Sequence, residues 1–463
     1  MADEPVTKQK ISLLRVLGPR HVWGLGVGIV LVGDYMGWNY AVAKGGALAA
    51  LIACWLGGLL YSCVATIDAE VTSSFATTGG QYTQAKHIVG PAMAFNVGLY
   101  LIFTYIMLAA ANAIALAHLL SLVAAMADMN VGNPKLIVVL TIVSLAWLNY
   151  RGVYTTLTFN VLITAVAFAA IVALFAVARP WSYEHLDHAG LLTDLPYGWL
   201  GVVASMYFGL WFYLGIEGSS QAAEEVRSPS RALPYGSLLG IVTLLVAANM
   251  TWYVCAGLMP WEYLGTTTTP LFSAAQLVGS KPLIVLVFCG SVLAIIASAT
   301  ACINDASRVG FAMARDCYLP NWMCAVHPRH RTPHRAIVAL VPVTMAFAIF
   351  APLDKVITLS ILSGLLVYTY MGVAIILFRR QWPVGTIWRG FVHPLHPLPA
   401  VALLVLCALG YFSIFLTYRI ELILVVVFYF VATLWFHFRR YRYVRRKLQF
   451  TMPWPRPIGF EGG

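Results

Sequence analysis

Apolar residues fill this chain in long runs separated by short polar stretches, and the runs dictate the first prediction. Runs of about 20 apolar residues are what a helix needs to cross a hydrocarbon core. Twelve are predicted, near 20–44, 46–68, 88–116, 134–150, 153–178, 197–225, 231–257, 282–313, 335–351, 354–378, 398–417 and 420–438. The third run continues through "IALAHLLSLVAAM", which reads as a further half-helix.

Two runs are interrupted alike. The first reads "GLGVGIVLVGDYMGWNYAVAKGG", with Asp34 between Gly33 and Tyr35, and Gly37, Trp38 and Asn39 just beyond. The sixth reads "YFGLWFYLGIEGSSQAAEEV", with Trp211, Tyr213 and Gly215 leading to Glu217 and Gly218. Each places a carboxylate beside glycine near the expected middle of the membrane. Breaks at the first and sixth positions predict two repeats of five helices that meet at their discontinuous members. The predicted fold is therefore an all-α polytopic membrane protein of twelve transmembrane helices, a 5+5 inverted repeat with helices 1 and 6 discontinuous. Its predicted parts are an N-terminal segment (1–19), a first repeat (20–178), a second repeat (197–378), two more helices (398–438) and a basic tail (439–463).

Composition agrees with that pattern. Of 463 residues, 60% are hydrophobic and only 10% charged, with a mean hydropathy of +0.80. A soluble domain carries about 25% charged residues. The opening "MADEPVTKQK" has no apolar core of a cleavable signal, so the first span is expected to stay in the protein. The eight cysteines are scattered mostly within apolar runs, as small core residues are, and "CYLPNWMC" fits neither a redox motif nor a zinc pattern. No cofactor or metal is expected.

The net charge of +11 would suit a nucleic-acid binder, but its distribution excludes that class. When the connections alternate between two sides, Lys44, Lys135, Arg179, Lys281, Lys355 and Arg419 fall on one, leaving 23 of the 29 basic residues on the other. That bias obeys the positive-inside rule, predicting both termini in the cytosol and insertion in the cytoplasmic membrane. The tail "RRYRYVRRK" then meets anionic headgroups. Glu184, Asp187, Asp194, Glu262 and Glu421 give the opposite face a modest acidic balance, as loop solvation does.

Unwound backbone at membrane depth is tolerated only where it lines a cavity or is buried in protein. An intramembrane carboxylate is a functional candidate by default. Asp34 and Glu217 are the two candidates, with the alternative that each merely caps freed amides. Tyr35, Trp38, Tyr40, Trp211, Phe212 and Tyr213 crowd the breaks, and aromatics around one carboxylate suit an organic ammonium ion. Asp305 is expected to pair with Arg308 three residues on, and Asp68 and Glu70 to face headgroups. The histidines of "HPRHRTPH" (327–334) read as loop solvation or headgroup contact.

Three ordered stretches resemble the amino acid–polyamine–organocation transporter superfamily over roughly residues 18–380. They are "TTGGQYTQAKHIVG" (77–90), "LWFYLGIEGSSQAAEEVRSPSRALPYG" (210–236) and "ASRVGFAMARDCYLPNWMCAVHPRHRTPHRAI" (306–337). The resemblance implies an alternating-access secondary transporter rather than an enzyme. It also implies a gating aromatic at Trp211 and a coupling acid at Glu217.

Two departures narrow the expectation. Amino-acid carriers of the superfamily usually hold the substrate carboxylate on a Gly-Ser-Gly triplet, where this chain has Gly37-Trp38-Asn39. "GDYMGWN" with "WFYLGIEG" resembles the ethanolamine permease branch, which implies an amine substrate without a carboxylate, held by Asp34 or Glu217. An amino-acid permease or a choline or polyamine carrier is the alternative. Proton-linked members often carry a fifth-span lysine seven residues after an asparagine; here Ala167 follows Asn160. Proton exchange at Glu217, sodium on carbonyls near Gly28–Ile29 with a hydroxyl such as Ser298, and uncoupled transport all fit, with the proton favoured. A membrane sensor that binds without transporting is the reading from a different class; it would be separated by counterflow.

Overall fold

The computed structural model describes residues 17–75, 79–129, 133–151, 153–178 and 195–448. Most of the N-terminal segment, the acidic residues Glu184, Asp187 and Asp194, Arg179, and the tail beyond 448 lie outside them.

Helices form where the apolar runs predict them. The first run comprises α1 (Pro19–Val30), α2 (Val32–Tyr35) and α3 (Tyr40–Gly45). It is followed by α4 (Ala47–Ser74), a short α5 (Gly80–Ile88), α6 (Pro91–Met126), α7 (Pro134–Arg151) and α8 (Val153–Ala178). The second half opens on α9 (Gly198–Gly209), which gives way to 3₁₀ turns at Leu210–Phe212 and Ile216–Glu225. Then come α10 (Pro229–Leu258), two short helices α11 (Trp261–Thr266) and α12 (Pro270–Val278), α13 (Lys281–Arg315), α14 (His334–Phe350) and α15 (Leu353–Gln381). Outside the repeats lie α16 (Leu398–Thr417), α17 (Arg419–Arg439) and α18 (Tyr441–Leu448). Proline opens α6, α10, α13 and α16, where its missing N–H costs nothing.

Among the described residues nine helices are long and apolar enough to cross a membrane, and α14 is a shorter apolar one. With α7 and the broken α1–α3 run they reproduce the predicted twelve-segment order, broken helices heading each set of five. The half-helix expected after the third run is instead part of it: α6 is continuous for 36 residues, with no glycine or proline after Gly98 to interrupt it.

The core is built by α6, which packs on α13 and α15, and by α4, which packs on α10 and α9. The broken α1 lies between α8 and α10 and against the Ile216–Glu225 turn. Leu17 clamps that arrangement: its N–H donates to the Glu225 carbonyl and its carbonyl accepts from Arg227, each at 2.9 Å. The chain is thus an all-α, multi-pass membrane protein whose two interrupted segments meet at its centre.

Candidate functional site

Glycine makes the first break possible. Gly37 has φ +91, a conformation that side chains with a Cβ rarely adopt. Around it residues 36–39 leave the helix, and no acceptor among the described residues takes the N–H groups of Gly37, Trp38 and Asn39. The second break turns on Gly215, at φ +106. The two breaks touch through backbone: a Cβ on Gly33 would stand 2.6 Å from the Trp211 carbonyl oxygen. The Trp211 indole N–H donates to the Met36 carbonyl at 2.9 Å, so the sixth segment holds one freed carbonyl of the first. Trp38 stacks on Phe212 with centroids 5.1 Å apart.

Asp34 is fully buried beside this junction, and neither of its carboxylate oxygens has a hydrogen-bond partner among the described residues. Thr251 on α10 faces it without reaching hydrogen-bond geometry. Tyr35, Cys54, Tyr213 and Cys255 share its surroundings. A buried carboxylate left without donors is costly unless it is neutral or meets a cation. The aromatic wall and this carboxylate together suit a compact organic cation.

Glu217 stands in a second polar cluster. Its Oε2 accepts from the Tyr368 hydroxyl on α15 at 3.0 Å, while Oε1 has no hydrogen-bond partner among the described residues. Asp305 lies close by across Gly218, where a Cβ would collide with its carboxylate. Asp34 and Glu217 are thus separate, and tyrosines run between them. Tyr213 packs on Tyr61 at 5.8 Å, and Tyr61 meets Tyr368 edge-on at 5.1 Å.

Of the predicted site residues, Asp34, Gly37, Trp38, Trp211, Tyr213 and Gly215 come together at the crossing of the breaks. Glu217 lies one layer away. Asn39 is turned outward to α11: its amide donates to the carbonyls of Leu264 at 2.8 Å and Thr267 at 2.6 Å. Ser298 donates to the Ile29 carbonyl at 2.5 Å and accepts from Asn112 at 2.7 Å, so the hydroxyl and the carbonyl expected to flank a sodium ion are bonded to each other. Among the described residues no three His, Cys, Asp or Glu side chains stand close enough to hold a metal.

Two expectations are corrected. Arg308 pairs with Glu225 at 2.7 Å rather than with Asp305, because the guanidinium reaches across to the end of the sixth segment. Asp68 and Glu70 are buried and not at a headgroup surface. Asp68 accepts from Thr72 at 2.9 Å and Gln81 at 2.8 Å, and Gln81 continues to Ser220 at 2.9 Å. Glu70 binds Arg379 and Arg389, each at 2.6 Å, and the His393 N–H at 2.9 Å.

The sequence alone does not single out Tyr61, Thr251 and Tyr368 at these clusters, or Asn160 and Thr164 of α8, whose buried side-chain polar atoms beside Gly28 have no hydrogen-bond partner among the described residues. The signal for Asn160 in the sequence is an amide side chain inside an apolar span.

Asp34, Trp38 and Tyr213 have no exposed surface, so the junction is closed to both faces of the bundle. A buried central site between broken helices, in a bundle that must open to reach it, defines a membrane carrier. The model of the amino acid permease family matches residues 17–431. The chain belongs to that family, within the amino acid–polyamine–organocation superfamily.

It is 62% identical to an uncharacterised transporter of Rhizobium meliloti (strain 1021), over 99% of this chain and 98% of that one. A methylthioribose transporter of Bacillus subtilis (strain 168) is 28% identical over 80% of this chain and 83% of its own. A branched-chain amino acid permease of the same organism is 24% identical over 92% and 94%.

Proposed function

We propose that this permease imports a small organic amine, ethanolamine first, across the cytoplasmic membrane by alternating access, with both termini in the cytosol. The observation that carries the reading is Asp34: a fully buried carboxylate with no donor to either oxygen among the described residues, with Tyr35 and Tyr213 in its surroundings. An ammonium group supplies both the charge and the N–H donors that such a carboxylate lacks. Trp38 and Trp211 close over the ligand from the two breaks, and rocking of one repeat against the other exposes it to alternate sides. Glu217, separate from Asp34 and bonded to Tyr368, is assigned the coupling proton.

A second reading has its own observation. Among the described residues no acceptor takes the N–H groups of Gly37, Trp38 and Asn39, and consecutive amides left open in this way suit a carboxylate. With Asp34 nearby, that arrangement would also fit an amino acid, the substrate class in the name of the branched-chain permease of Bacillus subtilis.

Uptake of labelled ethanolamine into proteoliposomes, challenged with choline, alanine, leucine and a polyamine under proton or sodium gradients, separates the two. Competition by ethanolamine and choline supports the amine reading. Uptake of labelled leucine or alanine by the same proteoliposomes, with no ethanolamine uptake, overturns it in favour of the amino acid.

A further inference from the structure

Far from the central junction, an apolar groove of about 540 Å³ opens on the outer face between α7 and α14. Its floor and walls include Val143, Ala146 and Trp147 of α7 and Ile337, Val338 and Val341 of α14. From Val143 to Arg151 it runs about 12 Å along α7. One end is apolar. The other carries a concentration of cationic and donor groups.

At that end the Arg151 guanidinium lies 4.4 Å from the Trp147 ring, held at the groove mouth by cation–π contact. His327, His330 and His334 surround Tyr150, with ring centroids 5.3, 6.2 and 5.8 Å from it. The loop is tied to the helix end by Thr332, whose hydroxyl donates to the Tyr150 carbonyl at 2.9 Å. Nδ1 of His327 accepts the N–H groups of Arg329 at 3.2 Å and His330 at 3.1 Å, so its Nε2 carries the proton and is left as a donor. Arg329, Arg331 and Arg335 stand in the same loop and helix start, and no Asp or Glu occurs between 317 and 353 or between 129 and 183. The C-terminal end of α7 adds its own preference for cations, which keeps this cluster in place.

An apolar trough ending in guanidinium and imidazole donors, with no Asp or Glu in either of the stretches that supply them, has the complementarity of one lipid class. We propose that this groove binds a single anionic phospholipid, an acyl chain lying along α7 and α14 and the phosphate held at Arg151 and the His327–His334 loop. Trp147 marks the depth of the interface, as tryptophan does at membrane boundaries. A zwitterionic lipid brings the same chain but a cation of its own, which meets the arginines unfavourably. The site is independent of the substrate reading, since it shares no residue with the junction of the breaks.

Native mass spectrometry of the full chain, loaded with equal phosphatidylglycerol and phosphatidylcholine of identical acyl chains, reads the preference directly. One phosphatidylglycerol per chain is expected to survive delipidation that strips phosphatidylcholine. Arg151→Ala should cut the preference about fivefold, the effect of one basic residue near a membrane surface. Lys135→Ala, exposed at the opposite end of α7, should leave it unchanged. Val338→Trp, which fills the trough without touching charge, should lower the amount of lipid retained. Equal retention of the two lipids, equal effects of the Arg151 and Lys135 variants, or full retention in Val338→Trp would each overturn the proposal.

Discussion

The Tyr368 hydroxyl on α15 donates to Oε2 of Glu217 at 3.0 Å, joining the tenth segment to the interrupted sixth. Glu217 is 2% exposed, and its Oε1 has no hydrogen-bond partner among the described residues, so the Tyr368 hydroxyl holds the carboxylate from within the same repeat. If Glu217 carries the coupling proton, Glu217→Gln should abolish concentrative uptake driven by a pH gradient while substrate counterflow persists. Tyr368→Phe removes a hydrogen bond to an ionisable group, worth about 1.5–3 kcal/mol. Transport in that variant should fall about tenfold, with the folded fraction unchanged by size exclusion.

Asp34 supplies the sharpest test of the ligand's charge. Truncating one partner of a buried, hydrogen-bonded charge pair costs about 2–5 kcal/mol. Asp34→Asn keeps the volume and removes the charge. Ethanolamine binding, measured by scintillation proximity or calorimetry, should weaken by roughly 30-fold or more. Unchanged binding would mean that the ammonium sits elsewhere.

Glu70 predicts stability rather than transport. It is fully buried and is shared by Arg379 and Arg389, the second of which is itself 2% exposed on its side chain. Arg389 also donates to the Trp382 carbonyl, which ties the 382–393 connection to the end of α4. Removing the carboxylate strands two guanidinium groups, and breaking a buried pair this way costs about 3–5 kcal/mol. Glu70→Ala should therefore lower the unfolding temperature in detergent clearly more than Glu421→Ala, whose partner Lys355 is half exposed.

His87 on α5 gives a pH dependence outside the spans. Burial first, and then the Lys86 charge, push its imidazole down from 6.5 to about 4. It stacks on Phe75 with centroids 6.0 Å apart. The unfolded chain takes up a proton below pH 6.5 that the folded chain refuses until about pH 4. Stability from the neutral ring is present above 6.5 and declines as pH falls through that window. The drop in unfolding temperature from pH 7 to pH 4.5 should be smaller in His87→Phe, which retains the stack and cannot ionise.

Much of the architecture was legible because membrane helices are written in long apolar runs that little else imitates. The run boundaries at 134–150, 153–178 and 398–417 match α7, α8 and α16 to within a residue. The breaks were legible too, since an acid next to glycine has no other place at membrane depth. The partners of the charged residues were not. Spacing along one helix pointed Arg308 at Asp305, three residues away, whereas Glu225 lies far along the chain and is adjacent only once the sixth segment has turned. Glu70 looked like a headgroup residue because Arg379 and Arg389 lie more than 300 positions later.

By itself, the chain's pattern determined an all-helical bundle of twelve segments, two of them interrupted at Asp34 and Glu217, because helix length and hydropathy are local properties. Only the tertiary structure decided that Asp34 is buried beside aromatic side chains with no donor among the described residues, that Asn39 is bound to α11, and that Glu217 answers to Tyr368. Those outcomes depend on which side chains from distant segments share a dry interior, where every unpaired donor or acceptor is costly and the packing of helices selects the partner.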